Sequence, residues 1–471
     1  MRVALINPPR VDGYPVVREE RYEHKDLGAL YPPLGLLTLA PLLTEEGHEI
    51  HLFDANGLDA DLSAVETFLL SCAPDAVFLR LGFDTQEQDL RVCRFAKSQG
   101  MHVIVRNKIL GDVPSLRDDL LSKECIDVFL SGEPERLMPG ALNYLEGKAS
   151  KPEGVLTELD RGAEASCWVW EDLDELPVPD FALLPTPWPY HTGVLEAPMS
   201  TLWTSRGCPF RCSFCAYCKQ KYRKRSPEQV LEEMERLVVD WGVRRFLFFD
   251  DLLDVSSVRM KELCEGILNK LPPLEWVACA RADGVDKEGL ALMKRAGCVE
   301  LAMGIESGSP SVLERTHKGV TLDQIGRASE WCREVDMLFY GMVILGLPGE
   351  TSDTVTETVS FLRQIQPFYV QFCFATPFPN TEMYAYCERE GLLLTKDWSR
   401  YFPLAEHPVI RTRELSADEL CRLRRWAYGK MLLRPVHLLR QARRGGWSWR
   451  INAGWHLMGR LARLAMRMPI R

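Results

Sequence analysis

Three cysteines stand close together in one short stretch of this sequence, at Cys208, Cys212 and Cys215. The stretch follows an apolar run at residues 200–203 and precedes a polar, basic segment, which indicates a loop that leaves a β-strand. Three thiolates at this spacing would repel one another unless a metal lay between them. Three protein ligands also leave one position open on a centre that takes four, and reactions at metals take place at open positions.

Two kinds of metal centre compete for this loop. A structural zinc site would use Cys218 as a fourth thiolate, but such sites usually draw two ligand pairs from separate parts of the chain. The next cysteine is Cys264, and the nearest histidines are His191 and His317, so no second pair is visible. The pattern favours an iron–sulfur cluster with three protein ligands, and zinc stays the alternative.

The composition is typical of a soluble globular protein with two or three domains: 471 residues, 46% hydrophobic and 26% charged. Most of the 15 cysteines stand singly in apolar segments, which predicts reduced core thiols and a cytoplasmic protein. We expect no signal peptide, because the sequence opens on an apolar strand. We expect no membrane span, because no apolar run reaches about 18 residues.

The net charge of −9 is unevenly distributed. Residues 421–471 carry 13 lysines and arginines and no acidic residue, so the rest of the chain is strongly acidic. An acidic body repels polyanions and no recognition motif occurs, so we expect no nucleic-acid partner. The basic tail should be attracted to anionic surfaces.

Residues 1–150 alternate apolar runs with helical patterns, which predicts a doubly wound sheet of parallel strands. A helix is expected over about residues 34–46. The predicted strands are residues 2–6, 49–54, 75–81, 103–105 and 126–130. Ligands bind such sheets at the carboxyl ends of the strands. The residues predicted to form this binding edge are Asn7, Asp54, Gly82, Asn107, Gly132 and Glu133.

Residues 151–199 are predicted to be a linker, because prolines cluster in residues 177–189 and block helices and sheets. Over residues 200–390 the alternation resumes, with strands expected at residues 200–204, 245–249, 275–280, 299–304, 338–345 and 367–374. Six strands are too few for an eight-stranded barrel and indicate a partial (β/α)6 barrel. Ser226 with Gln229, and Thr321 with Gln324, predict two capping boxes that begin helices.

Residues 391–471 are predicted to be a helical region that ends in a basic amphipathic tail. On a helix, one face of the tail would present Trp447, Ile451, Trp455, Met458, Leu461 and Ala465. Arg460, Arg463 and Arg467 would lie on the opposite side. Such a helix either packs on the barrel or makes a peripheral contact with an anionic membrane, and both interpretations stay open.

The cysteine loop resembles the signature of the radical S-adenosylmethionine (SAM) superfamily, C-x3-C-x2-C with an aromatic residue, Phe214, before the last cysteine. The resemblance extends over about residues 1–390 and is to the subgroup with a cobalamin-binding domain. That subgroup includes C-methyltransferases and the anaerobic magnesium-protoporphyrin ester cyclase. The motifs are NPP at 7–9, YPPLG at 31–35, GEPE at 132–135, FDD at 249–251, GIESG at 304–308, KGVT at 318–321, GLPGET at 346–351 and TPFPNT at 376–381.

The resemblance implies a [4Fe–4S] cluster on Cys208, Cys212 and Cys215, with SAM bound to the fourth iron. An electron from the cluster would split SAM and give a 5′-deoxyadenosyl radical, and a donor such as flavodoxin or ferredoxin would supply that electron. The resemblance assigns no catalytic residue. The residues expected to contact SAM are Phe214, Asp250, Arg281, Glu306, Gly346 and Gly349.

Two of these residues have simpler interpretations. Asp250 could end a strand and cap the next helix. Glu306 is expected to meet the ammonium group of SAM, because a buried carboxylate is costly without a partner. The alternative is that Glu306 forms a structural ion pair within the protein.

The N-terminal region departs from the subgroup at its predicted edge. Arg106, Asn107 and Lys108 replace a glycine-rich segment, and Arg80 stands where small hydroxyl residues are usual. No Asp-x-His-x-x-Gly motif occurs, so we expect no histidine ligand to cobalt. Cobalamin is the predicted cofactor of this region, bound without a protein histidine, and a vestigial domain is the alternative.

Taken together, these features predict a cytoplasmic radical SAM enzyme that uses cobalamin to methylate an unactivated carbon of a small molecule, lipid or secondary metabolite. One alternative is a radical rearrangement or oxidative cyclisation without methyl transfer. Others are a non-catalytic metal-binding or redox-sensing module and a membrane-associated scaffold. The sequence does not identify the substrate, because the residues that line a substrate pocket are scattered along the chain.

Overall fold

The computed structural model describes residues 1–19, 24–25, 29–164, 167–184, 188–192, 194–255 and 257–432. These residues contain two six-stranded sheets covered by helices, and two short hairpins, Val16–Val17 with His24–Lys25 and Ser205–Arg206 with Arg223–Lys224. Residues 433–471, which contain the predicted amphipathic part of the basic tail, lie outside the described residues.

The N-terminal sheet is mostly parallel. Its strands are β1 (Arg2–Asn7), β2 (Glu49–Asp54), β3 (Ala76–Arg80), β4 (His102–Arg106), β5 (Val128–Leu130) and β6 (Val155–Leu156). The spatial order is β2-β1-β3-β4-β5-β6, with β6 antiparallel to β5 and the other neighbours parallel. The chain thus winds outward in both directions from β1 and β3, as the sequence predicts for a doubly wound sheet.

Helices on both faces of this sheet connect its strands. The apolar helix Leu34–Glu45 packs Leu36, Leu39 and Leu43 against Val3 of β1, and nearly all its faces are buried. The helices are Leu34–Glu45, Ala55–Leu58, Leu62–Cys72, Gln86–Ser98, Lys108–Asp112, Pro114–Leu121 and Pro134–Leu145.

The five strands predicted in this region are confirmed, as is the helix near residues 34–46. The antiparallel strand β6 lies inside the predicted linker and was missed. Its two residues are too short to show an apolar period, and β6 forms only because β5 offers an open edge.

The second sheet follows the order of the chain without a reversal. Its strands are β7 (Met199–Leu202), β8 (Arg245–Leu253), β9 (Glu275–Ala280), β10 (Cys298–Glu306), β11 (Leu338–Leu345) and β12 (Tyr369–Phe374). Every neighbouring pair is parallel. Sequential parallel strands joined by helices form the predicted partial (β/α)6 barrel.

The helices of this barrel begin where the sequence predicts. Ser226 accepts a hydrogen bond from the backbone of Gln229, and Thr321 forms a full capping box with Gln324. Only the Ser226 half of the first predicted box is present. The helices are Pro227–Trp241, Val258–Lys270, Lys287–Arg295, Pro310–Arg315, Leu322–Glu334 and Ser352–Ile365.

The two faces of the barrel strands differ in burial. Leu301, Met303 and Ile305 of β10 pack in the main core with the helices. Side chains alternate along a strand, so Glu300 faces the other, concave side. On β11 the residues of this concave face are half-buried while their neighbours are buried, so solvent reaches the concave side.

The region after the barrel is less helical than predicted. Residues 382–389 and 417–432 form the helices Glu382–Arg389 and Ala417–Leu432, but between them only Trp398–Arg400 make a short 3-10 helix. Pro403 and Pro408 interrupt this segment and prevent a longer helix. Among the described residues, no helix is long and apolar enough to cross a membrane.

Candidate active site

The cysteine loop is closed at its base by a two-stranded hairpin. Arg206 pairs with Arg223, and the loop of residues 207–222 runs between them. Gly207 has a φ of +85°, and a Cβ there would lie 2.2 Å from the backbone oxygen of Lys221. Glycine is therefore required where the loop leaves the hairpin.

Two carboxylates at the end of β8 hold the start of the loop. Asp250 accepts hydrogen bonds from the Thr204 N–H at 2.9 Å and from the Ser205 hydroxyl at 2.6 Å. Asp251 accepts one from the Gly207 N–H at 2.7 Å. Burial raises the pKa of Asp250 to about 6 although these donors lower it. Asp250 thus anchors the cysteine loop in this structure, and its predicted contact with SAM stays a prediction.

The three signature thiols are half-buried, and N–H donors lie beside Cys212 and Cys215. The backbone N–H of Tyr217 lies 3.4 Å from Cys215 Sγ, and Arg281 Nη1 lies 3.9 Å from Cys212 Sγ. Burial raises the pKa of Cys212, whereas Lys318 and Arg281 oppose this rise. N–H donors and positive charges at sulfur are what a cluster's thiolates need, so the donor set fits an iron–sulfur cluster.

The zinc alternative needs Cys218 together with the three signature thiols. Within the ranges that the structure describes, no three Cys, His, Asp or Glu side chains are grouped so that they could hold one ion. Cys218, the fourth thiol of the zinc alternative, is half-buried, and burial raises its pKa.

Arg281 is fixed from three sides beside the loop. Its guanidinium group lies 3.5 Å from the centre of the Phe210 ring and makes two hydrogen bonds to Asp283, at 2.9 and 2.8 Å. It also donates to the backbone oxygen of Lys318 at 2.7 Å. Its charge is therefore held at the cysteine loop.

Glu306 forms an ion pair within the protein, which was the alternative to its predicted contact with the ammonium group of SAM. Lys318 Nζ donates to Glu306 Oε1 at 2.5 Å and to the Gly304 oxygen at 2.7 Å. Both side chains are buried, and Glu306 has a φ of +61°, an unusual backbone conformation for this residue. A Cβ at Gly304 would lie 2.1 Å from Glu306 Oε1, so glycine makes room for the pair. Lys318 was missed as a site residue, although the KGVT motif contains it.

The turn after β11 is built around a buried carboxyl group. Gly346 has a φ of +96°, and its N–H donates to Glu350. Burial raises the pKa of Glu350 to about 8. Gly349 has a φ of +83°, and a Cβ there would lie 2.9 Å from Arg315 Nε. The turn brings backbone, not side chains, to the barrel edge.

Phe214 lies away from the main barrel core. It packs, half-buried, against a hydrophobic cluster that joins the two sheets. That cluster contains Val105 and Ile109 from the N-terminal region together with Ala216 and Tyr217 from the cysteine loop. The loop therefore lies at the interface between the two sheets.

The first residues of the predicted N-terminal edge bind one another. Asn7 donates to Asp54 at 2.7 Å, and the Tyr190 hydroxyl donates to the same carboxylate at 2.6 Å. The Gly82 N–H donates to buried Asp89 at 2.8 Å. Their polar groups are thus used within the protein.

The remaining edge residues also have protein partners. Asn107 donates to the Leu81 oxygen at 2.7 Å and accepts from the Leu110 N–H at 2.9 Å, which caps the next helix. Gly132 forms a bridge with Trp168, and a Cβ there would lie 2.2 Å from the Trp168 oxygen. These contacts explain the residue types without a ligand.

Glu133 is bound to two arginines of the cysteine hairpin. It makes a two-pronged ion pair with Arg223, at 2.7 and 2.8 Å, and Arg206 binds the neighbouring Glu135 at 2.8 Å. Burial raises the pKa of Glu133, but the two arginines outweigh it and lower the pKa to about 2. The sequence missed Glu135, Arg206 and Arg223, although the GEPE motif contains the first.

A cavity beside the N-terminal edge has a volume of about 20 Å³, room for one water molecule. Asn7, Arg18, Glu19 and Arg80 are among its lining residues.

Glu300 is a buried carboxyl group on the concave side of the barrel. Among the described residues, its Oε2 has no hydrogen-bond partner. Burial raises its pKa from 4.5 to about 7. No sequence signal distinguished it from the exposed acidic residues of other strands.

Residues 204–362 match the sequence profile of the Radical SAM superfamily. An uncharacterised methyltransferase from Pyrococcus horikoshii is 29% identical over 93% of this chain and 94% of its own length. The anaerobic magnesium-protoporphyrin IX monomethyl ester cyclase of Rubrivivax gelatinosus is 28% identical over 82% of this chain and 69% of its own.

The fold is also that of a solved structure. The radical S-adenosylmethionine methyltransferase TsrM from Kitasatospora setae, with cobalamin and a [4Fe–4S] cluster bound, superimposes with a TM-score of 0.69. The sequences are 20% identical, and the match covers 99% of this chain and 100% of TsrM. The overall fold is therefore shared.

The buried carboxyl of Glu300 predicts a pH-dependent stability. Between pH 4.5 and about 7 the folded protein keeps a proton that the unfolded chain releases, so stability falls as pH rises through this window. Glu300→Gln removes the ionisable group and therefore the loss of stability at high pH. We expect it to raise the free energy of unfolding by a few kcal/mol more at pH 8 than at pH 5, at about 1.4 kcal/mol per pKa unit.

Urea unfolding at the two pH values measures this difference. Glu275→Gln, at an exposed glutamate of the adjacent strand β9, is the matched control and should change stability equally at both. A Glu300→Gln effect that does not depend on pH would show that the Glu300 carboxyl is not held neutral.

Proposed function

This chain contains a radical SAM domain, and we propose that it is a cobalamin-dependent radical SAM methyltransferase that acts on an unactivated carbon of a small molecule. The observation that carries the proposal is the set of three thiols, two of them with N–H donors at sulfur, beside the charged pair Glu306–Lys318. A radical SAM domain implies a [4Fe–4S] cluster and SAM. When bound, such a cluster supplies the electron that splits SAM into methionine and a 5′-deoxyadenosyl radical.

In this proposal Cys208, Cys212 and Cys215 hold the cluster. The fixed charge of Arg281 and the Tyr217 N–H stabilise the thiolate sulfurs, because both place positive charge beside them. Asp250 and Asp251 keep the loop in place by accepting its N–H and hydroxyl groups.

The Glu306–Lys318 pair is complementary to the amino-acid end of SAM. Glu306 would take the ammonium group and Lys318 the carboxylate, so each charge exchanges one partner for another. Such an exchange avoids leaving a buried charge unpaired. The Gly346 turn would bring backbone groups to the nucleoside, with Gly349 and Phe214 beside it.

Methyl transfer is proposed over cyclisation because of the likeness to proteins named as methyltransferases over nearly the full chain. When bound, cobalamin supplies a methyl carrier, and the carboxyl edge of the N-terminal sheet is its proposed place. The electron donor is proposed to be a small redox protein such as flavodoxin or ferredoxin.

The cluster ligands are tested by substitution. Cys212→Ala should lose bound iron and abolish 5′-deoxyadenosine formation, because two thiolates do not retain the cluster. Cys218→Ala, at a thiol in the same loop but outside the signature, should keep both. Iron and sulfide assays after anaerobic reconstitution, followed by product analysis on reduction with SAM, measure the outcome. Equal losses in both variants would contradict the assignment.

Cobalamin binding is tested by absorption spectroscopy. The anaerobically purified protein is incubated with hydroxocobalamin and desalted, and we expect the corrinoid bands to remain with the protein. Loss of all corrinoid on desalting would favour the vestigial interpretation and a reaction without methyl transfer.

Peripheral membrane contact through the basic tail is proposed from its charge. We expect the full chain to float with vesicles that contain phosphatidylserine and a chain that ends at Leu432, where the helix Ala417–Leu432 ends, not to do so. Equal flotation of the two chains would show that the tail does not mediate membrane binding.

A further inference from the structure

The two arginines at the base of the cysteine loop mark its two ends. Arg206 comes just before Cys208, Arg223 follows Cys218, and the two are paired in the hairpin. Their positions fix the width of the loop's base. Any group that holds both arginines therefore constrains where the three thiols lie.

The two carboxylates that bind these arginines come from the N-terminal sheet. Glu133 and Glu135 follow β5. Both carboxylate oxygens of Glu133 accept hydrogen bonds from Arg223, at 2.7 and 2.8 Å. Arg206 binds Glu135 at 2.8 Å and lies 3.6 Å from Glu133. The Arg206 guanidinium group also lies 4.1 Å from the centre of the Trp203 ring.

This four-residue network is buried. The side chains of Glu133, Glu135, Arg206 and Arg223 are 9%, 0%, 11% and 5% exposed. Removing one charge from a buried network leaves its partner uncompensated, whereas an exposed ion pair contributes little. The loop also has an exposed pair, Lys219–Glu382, which offers a natural comparison.

We propose that Glu133 and Glu135 are positioning residues of the cluster, through which the N-terminal sheet sets the geometry and the electrostatic environment of the cysteine loop. The inference rests on the proposed cluster but not on cobalamin or on methyl transfer. Because Glu133 also lies on the edge predicted to bind cobalamin, a ligand there would act on the same carboxylate that holds Arg223.

The test separates the effect of the negative charge of Glu133 on the cluster from the effect of its two-pronged contact. The double variant Glu133→Gln with Glu135→Gln keeps the side-chain shapes and removes two negative charges. We expect it to release cluster iron to a chelator about tenfold faster. Its cluster should also have a more positive midpoint potential in an EPR-monitored titration, because loss of nearby negative charge favours electron uptake.

A conservative variant separates the two effects. Glu133→Asp keeps the charge but is too short for the two-pronged contact, so iron should leave faster while the potential stays near that of the unchanged protein. Arg206→Lys, which keeps the charge and loses the planar guanidinium contacts, should behave in the same way. These two variants test the proposal even if the double variant fails to fold.

Glu382→Gln is the matched control, because it breaks the exposed ion pair on the same loop and should change neither property. The proposal is overturned if the folded charge variants release iron at the unchanged rate and titrate at the unchanged potential. If the unchanged protein itself forms no cluster, the proposed function fails, and this result is distinct from the one that overturns the positioning role.

Discussion

The cysteine loop has almost no regular structure of its own, so its shape depends on carboxylates that accept its donors. Asp250 and Asp251 bind the loop's first N–H and hydroxyl groups. Burial raises the pKa of Asp250 to about 6, because these bonds offset only part of its desolvation. The strand β8 therefore carries its carboxylates at the barrel edge for a structural reason as well as for any contact with SAM.

The same loop is held from a second direction by the N-terminal sheet. Glu133 and Glu135 bind its two arginines, and Ala216 and Tyr217 share a hydrophobic cluster with Val105. Each sheet alone would satisfy only part of the loop. The candidate active site is thus a product of the interface between the sheets, and it forms fully only when both are folded.

Local patterns were sufficient to predict most of the fold. Apolar runs and capping residues identified all six barrel strands, the five parallel strands of the first sheet and the helix that Thr321 caps. What they could not predict are partnerships between distant residues. Glu133 and Arg223 are 90 positions apart, and β6 depends on an edge that another strand offers. Glu306 illustrates the limit: the sequence showed that a buried carboxylate needs a partner, but not that Lys318 provides one.

The unusual residues at the N-terminal edge also have partners within the protein. Arg80, Arg106, Asn107 and Lys108 are large where the related subgroup has small residues, yet all four are nearly buried. Asn107 turns its amide to the Leu81 oxygen and the helix that follows, Lys108 reaches Asp112, and Arg80 lies near Glu19. Their bulk is directed into the protein, so the loss of glycine does not by itself fill the space outside the edge. A large ligand at this edge would therefore meet side chains that already have partners within the protein.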